Sequence, residues 1–324
     1  MQLAVLCMQN PKTLAMKNIL YILLFFFFGN AIAQTDAYTS EEIKINDLIE
    51  GTLLLPDTER PPLVILIAGS GPTDRNGNQA MQKNNSLKFL AEGLYKENIA
   101  TFRYDKRILK IMKMGKIDET KIDFDHFVED ARDILNFFKN DNRFGNVILL
   151  GHSQGSLVGI LAAQNGADGF ISLAGAGQAI DDVIVAQLEK QAPGLKDNAR
   201  QSFDDLRVNG VAQNYSPGLA SIFRPSIQPF IFSWMKYDPA KEVAKLDIPV
   251  LIINGDKDLQ VHVSEAEILH AAKPDSKLEI IENMNHIFKE IKGNDLENQK
   301  SYNEYNRPVM PQLIEAISEF ISSI

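Results

Sequence analysis

Residues 151–155 read Gly-His-Ser-Gln-Gly and place a serine between two glycines at the G-x-S-x-G spacing. This motif is typical of a nucleophile elbow when a buried strand precedes it and a helix follows it. The apolar run 147–150 predicts that strand, and residues 156–164 predict the helix. The glycines allow the strand and the helix to approach each other closely around a strained turn. The sequence therefore predicts that Ser153 is a nucleophile for acyl transfer.

The residue after the serine, Gln154, would stand at the start of the following helix. A helix N-terminus favours negative charge, because its first N–H groups are free and its dipole is positive there. We therefore predict that the backbone N–H of Gln154 is one donor of an oxyanion hole.

A serine at its ordinary pKa is a weak nucleophile and requires a general base. Where this elbow occurs, the acid and the histidine follow the serine in that order. Downstream of the motif, His270 falls inside a helical pattern, and His262 lies only four residues after a candidate acid. His286 follows the apolar run 278–281 by a short loop, where a base is placed to reach a serine at the same sheet edge. The sequence therefore predicts His286 as the base.

Two carboxylates are candidates for the acid that orients this histidine. Asp256 and Asp258 both lie in Gly-Asp-Lys-Asp, directly after the apolar run 250–254. The acid must point toward His286 and stabilise its imidazolium. Asp258 lies further into the loop, so we favour Asp258 as the acid and expect Asp256 to structure the turn. The choice between them stays open at this point.

The elements that must position these residues follow a regular order. Apolar runs predict strands, and spacing of three to four residues predicts helices. The predicted strands are 41–47, 49–55, 63–67, 99–104, 147–150, 169–174, 250–254 and 278–281; the predicted helices outside residues 178–247 include 85–97, 124–138, 156–164 and 309–323. The first two strands form a hairpin, and the later alternation predicts an α/β fold with a mostly parallel central sheet and helices on both faces.

Residues 178–247 interrupt this alternation, because about 70 residues separate two strands that one helix would connect. Helical patterns occur at 180–192 and 197–208, followed by a stretch punctuated by prolines. Loops of this length usually have a function, so we interpret the segment as an inserted helical cap. The alternative is a peripheral excursion that does not cover the site.

The motifs Gly-His-Ser-Gln-Gly, Gly-Asp-Lys-Asp and Asn-His, at these spacings, resemble the α/β-hydrolase superfamily. The stretches 68–78 (Ala-Gly-Ser-Gly-Pro-Thr-Asp-Arg-Asn-Gly-Asn) and 103–107 (Arg-Tyr-Asp-Lys-Arg) are similar to its secreted esterase-like group, also described as serine aminopeptidase-like or acyl-thioester-hydrolase-like. The resemblance covers residues 41–324. It implies an α/β-hydrolase core over 34–177 and 248–324 with the cap at 178–247, and it implies that Ser70 supplies the second oxyanion N–H.

Two departures from that group affect other positions. Many relatives have histidine where this chain has Ala68, and relatives continue after Arg107 with glycine, whereas here Ile-Leu-Lys-Ile follows. The second departure leaves the shape of that loop open. Arg103 and Arg107 either contact a substrate carboxylate or form structural ion pairs on a charged loop, and we favour the ion pairs.

The implied activity is hydrolysis of carboxylic esters with small to medium acyl groups, without a cofactor or a metal. An aminopeptidase-like serine peptidase or an acyl-thioesterase would use the same triad, so both remain alternatives. A non-catalytic binding module on this scaffold would be expected to lose a triad residue, and this chain keeps all three. A metal hydrolase is disfavoured, because the chain has no H-E-x-x-H motif and its histidines are scattered.

The N-terminus predicts export. Lys17 precedes the apolar run 19–28, and Ala-Ile-Ala at 31–33 matches a cleavage site, so residues 1–33 are interpreted as a signal peptide. Met16 is a plausible alternative start. The run is too short to span a bilayer, so no stable membrane span is expected after cleavage, and an uncleaved anchor is the alternative. The expected location is secreted or periplasmic.

Removing residues 1–33 would also remove the single cysteine, Cys7, and with it any disulfide or thiolate chemistry. Two lysines and no acidic residue lie in that segment, so the net charge would fall from −9 to −11. Such an acidic chain is a poor candidate for binding nucleic acid. The expected partner is a small-molecule ester, thioester or peptide substrate, and the sequence makes no prediction of oligomeric state.

Overall fold

The computed structural model describes residues 38–324. The predicted signal peptide and Cys7 lie outside the described residues. None of the helices within residues 38–324 is long and apolar enough to cross a membrane.

Eight strands of the described chain form one sheet in the order β1-β2-β4-β3-β5-β6-β7-β8. They are β1 (Ser40–Lys44), β2 (Glu50–Leu54), β3 (Leu63–Ile67), β4 (Ala100–Tyr104), β5 (Val147–His152), β6 (Gly169–Leu173), β7 (Val250–Gly255) and β8 (Lys277–Ile281). β2 pairs antiparallel with β1 and with β4, and the other neighbours pair in parallel. The predicted hairpin followed by a mostly parallel sheet is therefore confirmed.

The described residues also form twelve α-helices. They are α1 (Ser86–Lys96), α2 (Arg107–Lys113), α3 (Asp125–Lys139), α4 (Gln154–Ala163), α5 (Ile180–Gln191), α6 (Lys196–Asn209), α7 (Ala220–Phe223), α8 (Gln228–Trp234), α9 (Pro239–Val243), α10 (Val263–Ala272), α11 (Asp295–Ser301) and α12 (Pro311–Ser322). Of these, α1, α3, α4, α10 and α12 pack against the sheet.

The central strands are buried on both faces, as their continuous apolar runs predict. Leu63, Ile65 and Ile67 of β3 point into one apolar cluster with α3, α4 and α10, whereas Val64 and Leu66 point into a second cluster with α1 and α12. Because successive side chains of a strand alternate between faces, each core strand supports both layers. The sheet is thereby held rigidly, and the loops at its carboxyl edge are positioned by it.

The long connection from β6 to β7 carries helices α5 to α9; we call residues 178–247 the cap segment. It has an apolar cluster of its own, formed by Ala199, Phe203, Leu206, Ala212, Leu219, Phe223, Ile231 and Met235. It packs against the region before α3, where the rings of Phe124 and Trp234 stack with centroids 5.5 Å apart. The Phe124 N–H also donates to Ser233 Oγ at 2.9 Å. The division of the chain into core and cap stays a prediction.

Two of the differences from the sequence-based expectations lie near the candidate site. The helix expected from residue 156 begins at Gln154, so Gly155 lies inside α4. Residues 107–113 form the short helix α2, whose sequence Arg-Ile-Leu-Lys-Ile-Met-Lys was left without a predicted structure. Both differences lie beside Ser153 and Gly69, at the edge of the sheet where the candidate residues gather.

Candidate active site

Ser153 occupies the sharp turn between β5 and α4. Its backbone has φ 54° and ψ −121°, a conformation that costs a non-glycine residue about 1–3 kcal/mol. The Ser153 N–H donates to the Leu173 carbonyl of β6 at 3.0 Å, which helps to hold the turn against the sheet. A strained serine at the carboxyl edge of a parallel sheet is the geometry expected of a nucleophile elbow.

The two motif glycines are required by close backbone contacts. A Cβ placed on Gly151 would lie 2.1 Å from the carbonyl oxygen of Gly155. A Cβ placed on Gly155 would lie 2.4 Å from the carbonyl oxygen of Ile67, in β3. Backbone atoms cannot yield as a flexible side chain can, so both positions exclude any larger residue.

His286 and Asp258 come together at the same edge of the sheet. His286 Nδ1 lies 2.7 Å from Asp258 Oδ2, and both side chains are buried. The other carboxylate oxygen, Oδ1, accepts the backbone N–H groups of Gln260 at 2.7 Å and Val261 at 2.9 Å. An Asp–His pair held this way fixes the imidazole ring and presents Nε2 as the remaining base.

The neighbouring aspartate has a different environment. Asp256 is exposed, and its Oδ1 accepts the N–H of Asn283 at 2.6 Å. Asn283 has φ 62°, so this contact stabilises a turn in the loop that leads to His286. The other two histidine candidates bind elsewhere: His262 Nε2 lies 2.9 Å from Lys190 Nζ, and His270 Nδ1 lies 2.9 Å from Ser276 Oγ.

His152, the last residue of β5, contacts His286. Its Nε2 lies 2.9 Å from the His286 carbonyl oxygen, and the two rings are 4.8 Å apart. Burial, with the neighbouring His286, lowers the pKa of His152 well below its ordinary value, so the ring is neutral. A carbonyl oxygen only accepts hydrogen bonds, so the proton of that neutral ring is on Nε2. The contact therefore anchors the backbone of the loop that carries His286.

The two predicted oxyanion donors flank Ser153. Gln154 begins α4, so its N–H is among the helix donors that lack an intrahelical partner. Ser70 is exposed, and its carbonyl oxygen accepts Gln79 Nε2 at 2.9 Å and Thr73 Oγ1 at 3.0 Å. These contacts tie the glycine-rich loop 69–73 into a fixed shape beside the nucleophile.

Lys106 was not among the candidates from the sequence, yet it contacts both the loop that carries Ser70 and the side chain of Gln154. Its side chain is only 5% exposed, and Nζ donates to the Gly69 carbonyl oxygen and to Gln154 Oε1, at 2.9 Å each. The ammonium also lies over the Phe127 ring, 4.4 Å from the centroid. Burial lowers the pKa of Lys106 to about 7. The sequence signals were its place two residues after the buried strand β4 and within the stretch 103–107 that carries the family resemblance.

The two arginines near Lys106 make structural contacts. Arg107 forms a two-point ion pair with the buried carboxylate of Asp130, at 2.7 and 2.8 Å. Arg103 is buried and donates to Asn76 Oδ1 at 2.6 Å, a neutral partner where an ion pair was expected. Burial lowers the pKa of Arg103 to about 10. Within the described residues, neither arginine lines a cavity that contains Ser153.

One cavity at Ser153 lies under the cap segment. It has a volume of about 250 Å³ and contains Ser70, Ser153 and Gln154 at its base. Its apolar wall consists of Leu157, Ile180, Val183, Ile184, Trp234 and Val261. We call it the cap cavity, since most of this wall belongs to the cap segment.

A second cavity opens on the other side of the serine. It has a volume of about 70 Å³ and contains Ser70, Ser153 and His286. The remaining wall comes mainly from loops 69–87 and 286–302 and is mostly polar. We call it the loop cavity. The two cavities meet at Ser70, Ser153 and Gln260, so a substrate can lie across the nucleophile with one end in each.

Comparison with known proteins identifies the family. Residues 54–288 match the model of the alpha/beta hydrolase family. Esterase EstD of Thermotoga maritima is 27% identical over 259 residues, which cover 78% of this chain. The chain spans only 60% of the length of that relative.

Solved structures share the fold. Est1E from Butyrivibrio proteoclasticus superposes with a TM-score of 0.55 at 17% identity, covering 88% of this chain and 98% of that one. TT1662 from Thermus thermophilus gives a TM-score of 0.52 at 13% identity, covering 89% of this chain and 98% of that one. At these identities the likeness establishes the architecture, and the chemistry must be argued from the residues themselves.

Proposed function

Because this chain belongs to the alpha/beta hydrolase family, we propose that it is a serine hydrolase that cleaves carboxylic esters through an acyl-enzyme on Ser153. The resemblance to an esterase supports the same reaction class. The observation that carries the proposal is the buried Asp258–His286 pair beside an elbow serine that lines the same cavity as His286.

The residues define a sequence of steps. Ser153 Oγ attacks the ester carbonyl carbon while His286 takes its proton, and Asp258 stabilises the imidazolium that forms. The carbonyl oxygen becomes an anion that the N–H groups of Ser70 and Gln154 bind. The C–O ester bond then breaks as His286 gives the proton to the departing alkoxide.

Water completes the cycle by the same route. His286 deprotonates a water molecule that attacks the acyl-enzyme, and the returning proton restores the hydroxyl of Ser153. The cap cavity places apolar side chains beside Ser153 and Gln154, and hydrogen bonds to a charge are stronger in such partly dehydrated surroundings.

The proposal is tested with three matched substrates that share one acyl group: an ester, an anilide and a coenzyme A thioester. We expect the ester to give the highest kcat/KM and the S153A variant to lose activity on all three. A fluorophosphonate probe should label the wild type and leave S153A unlabelled. A preference for the anilide would support a peptidase and one for the thioester a thioesterase, and either result would replace the ester proposal.

We also propose that the protein is exported after cleavage at Ala33. The support is the basic residue, short apolar run and small-residue site within residues 1–33. The predicted location remains secreted or periplasmic.

A further inference from the structure

The position of His286 indicates which part of the substrate binds in each of the two cavities. In the tetrahedral intermediate, the acyl chain, the oxyanion and the leaving oxygen point in different directions from the former carbonyl carbon. His286 must reach the leaving oxygen, because that oxygen takes the proton from its imidazolium. His286 lines the loop cavity, whereas the lining of the cap cavity, within residues 38–324, does not include it. The leaving group must therefore depart toward the loop cavity.

The walls of the two cavities differ in polarity. The hydrogen-bonding side chains that line the loop cavity and not the cap cavity include Thr73, Gln79, Gln82, Asn84, Ser86 and Tyr302. Tyr302 accepts Gln260 Nε2 at 2.9 Å, which leaves its O–H proton free to donate to a ligand. The cap cavity also contains Gln178, Gln187 and Gln260, but aliphatic side chains and one tryptophan make up more of its wall, so it suits a hydrocarbon chain.

The cavities also differ in size, at about 250 Å³ under the cap segment against about 70 Å³ between the loops. We infer that the acyl chain of the substrate binds in the cap cavity and that a small polar alcohol, the leaving group, binds in the loop cavity. This inference rests on the proposed function and names its substrate class: an apolar acyl ester of a small polyhydroxy alcohol.

The test compares two esters with the same acyl chain and leaving groups of the same carbon number, glyceryl monohexanoate and propyl hexanoate. The leaving groups differ by two hydroxyls, so the ratio of their kcat/KM values reports polar recognition in the loop cavity. We expect wild type to prefer the glyceryl ester by about tenfold, which corresponds to about 1.4 kcal/mol. The double variant Q82L/Y302F should bring this ratio close to one, because kcat/KM should fall more for the glyceryl ester than for the propyl ester.

The matched control, I184A, changes the cap cavity. It should alter the preference for acyl length, measured on propyl butyrate, hexanoate and octanoate, and leave the glyceryl-to-propyl ratio unchanged. A wild-type ratio of one or less, or an I184A variant that shifts the leaving-group ratio, would overturn the inference while ester hydrolysis stands. A wild type that hydrolyses neither ester and resists the fluorophosphonate probe would instead overturn the proposed function, and this inference with it.

A separate observation concerns Lys106. Its amine binds the Gly69 carbonyl oxygen, which shares a planar trans peptide unit with the Ser70 N–H. In a trans peptide the C=O and N–H point in opposite directions, so fixing the oxygen fixes where the Ser70 N–H points. The same amine holds the side chain of Gln154, the residue that carries the other predicted donor.

We propose that Lys106 is a positioning residue that aligns the two oxyanion donors. Removing one oxyanion donor typically costs about 10²–10³ in kcat. Misaligning a donor that is still present should cost less, so we expect K106M to lower kcat about 10- to 100-fold with KM within threefold. Arg107 provides the control, because its side chain binds Asp130 and lines neither cavity at Ser153.

The deciding measurement is the affinity for a trifluoromethyl ketone inhibitor, whose adduct with the serine places an oxyanion in the hole. Its inhibition constant should rise in K106M by about the factor by which kcat/KM falls, whereas R107M should lose stability with an unchanged inhibition constant. A K106M variant with a lower Tm but normal kcat and normal inhibitor affinity would show a purely structural role and overturn this proposal.

Discussion

Asp258 holds His286 with one carboxylate oxygen, at 2.7 Å, and holds its own loop with the other, through the N–H groups of Gln260 and Val261. The carboxylate is therefore fixed from two sides before the histidine binds it. Because both side chains are buried, the ring has little freedom to rotate away. This arrangement separates the two aspartates of the Gly-Asp-Lys-Asp sequence, which sequence alone left as alternatives.

The first prediction compares D258N with D256N. D258N should lower kcat by up to about 10⁴, because the amide disfavours the tautomer that the reaction needs and leaves the imidazolium unpaired. D256N should keep most activity and lose on the order of 1 kcal/mol of stability, since the Asn283 turn is weakened. The measurements are kcat on a short-chain ester and Tm. A larger kinetic defect in D256N, at unchanged Tm, would exchange the two roles.

The second prediction concerns the packing of the elbow. G155A should destabilise the protein by about 2 kcal/mol or more, because the new methyl group would meet the Ile67 carbonyl oxygen at 2.4 Å. Gly194 is the matched control, since a Cβ there meets nothing within 4 Å, and G194A should change stability by less than about 0.5 kcal/mol. Urea unfolding measures both variants. Equal stability of the two would mean that the elbow can relax.

The third prediction concerns pH. Lys106 has a folded-state pKa of about 7, lowered by burial from 10.5. Between these values the unfolded chain binds about one proton more than the folded chain at this residue, so folding stability rises with pH. Wild type should therefore gain stability relative to K106M between pH 7 and pH 10, by up to about 1.4 kcal/mol per pH unit. Below pH 7 both states are protonated, and the difference should be constant.

Urea unfolding of both proteins at several pH values checks this, because pH-independent losses in K106M cancel from the comparison. A difference that does not change between pH 7 and pH 10 would mean that Lys106 keeps its ordinary pKa in the folded protein.

The fourth prediction concerns processing. The mature exported protein should begin at Gln34, because Ala31 and Ala33 occupy the small-residue positions of the cleavage site. N-terminal sequencing or intact mass of the exported protein measures this directly. Replacing Ala33 with a bulky residue should block cleavage there. A mature protein that begins well before Gln34 would contradict the prediction.

The strands and the turn at Ser153 were predictable because their sequence signals are local. The run 147–150 is apolar throughout, and the motif that follows it needs no distant information to suggest a strand, a turn and a helix. The pattern predicts that α4 begins at residue 156, two residues later than it does, and a glycine at 155 gives no local sign of a helix interior. Its position inside the helix follows from the close approach of Ile67, a tertiary contact that a local pattern does not contain.

The role of Lys106 was not predictable, for the same reason. Its partners lie 37 and 48 residues away along the chain, and both contacts depend on the pairing of β4 with β3 and of β3 with β5. Arg103 is an example of a partner predicted wrongly. Its charge suggested an ion pair, but its position in buried β4 places it against the amide oxygen of Asn76. Charge alone does not identify a partner when burial decides which atoms are within reach.

The cap cavity has a consequence for how this enzyme can diversify. Most of its apolar wall comes from one continuous insertion between β6 and β7, whereas Ser153, Asp258 and His286 stand on loops of the sheet. With the acyl chain in the cap cavity, as inferred above, substitutions in the cap segment would change which acyl groups fit while Ser153, Asp258 and His286 keep their supports. The residues that would select the acyl group and the residues that would react thus lie on separate stretches of sequence. Mutations in the cap segment could therefore give an ancestral chain new substrates without changing Ser153, Asp258 or His286.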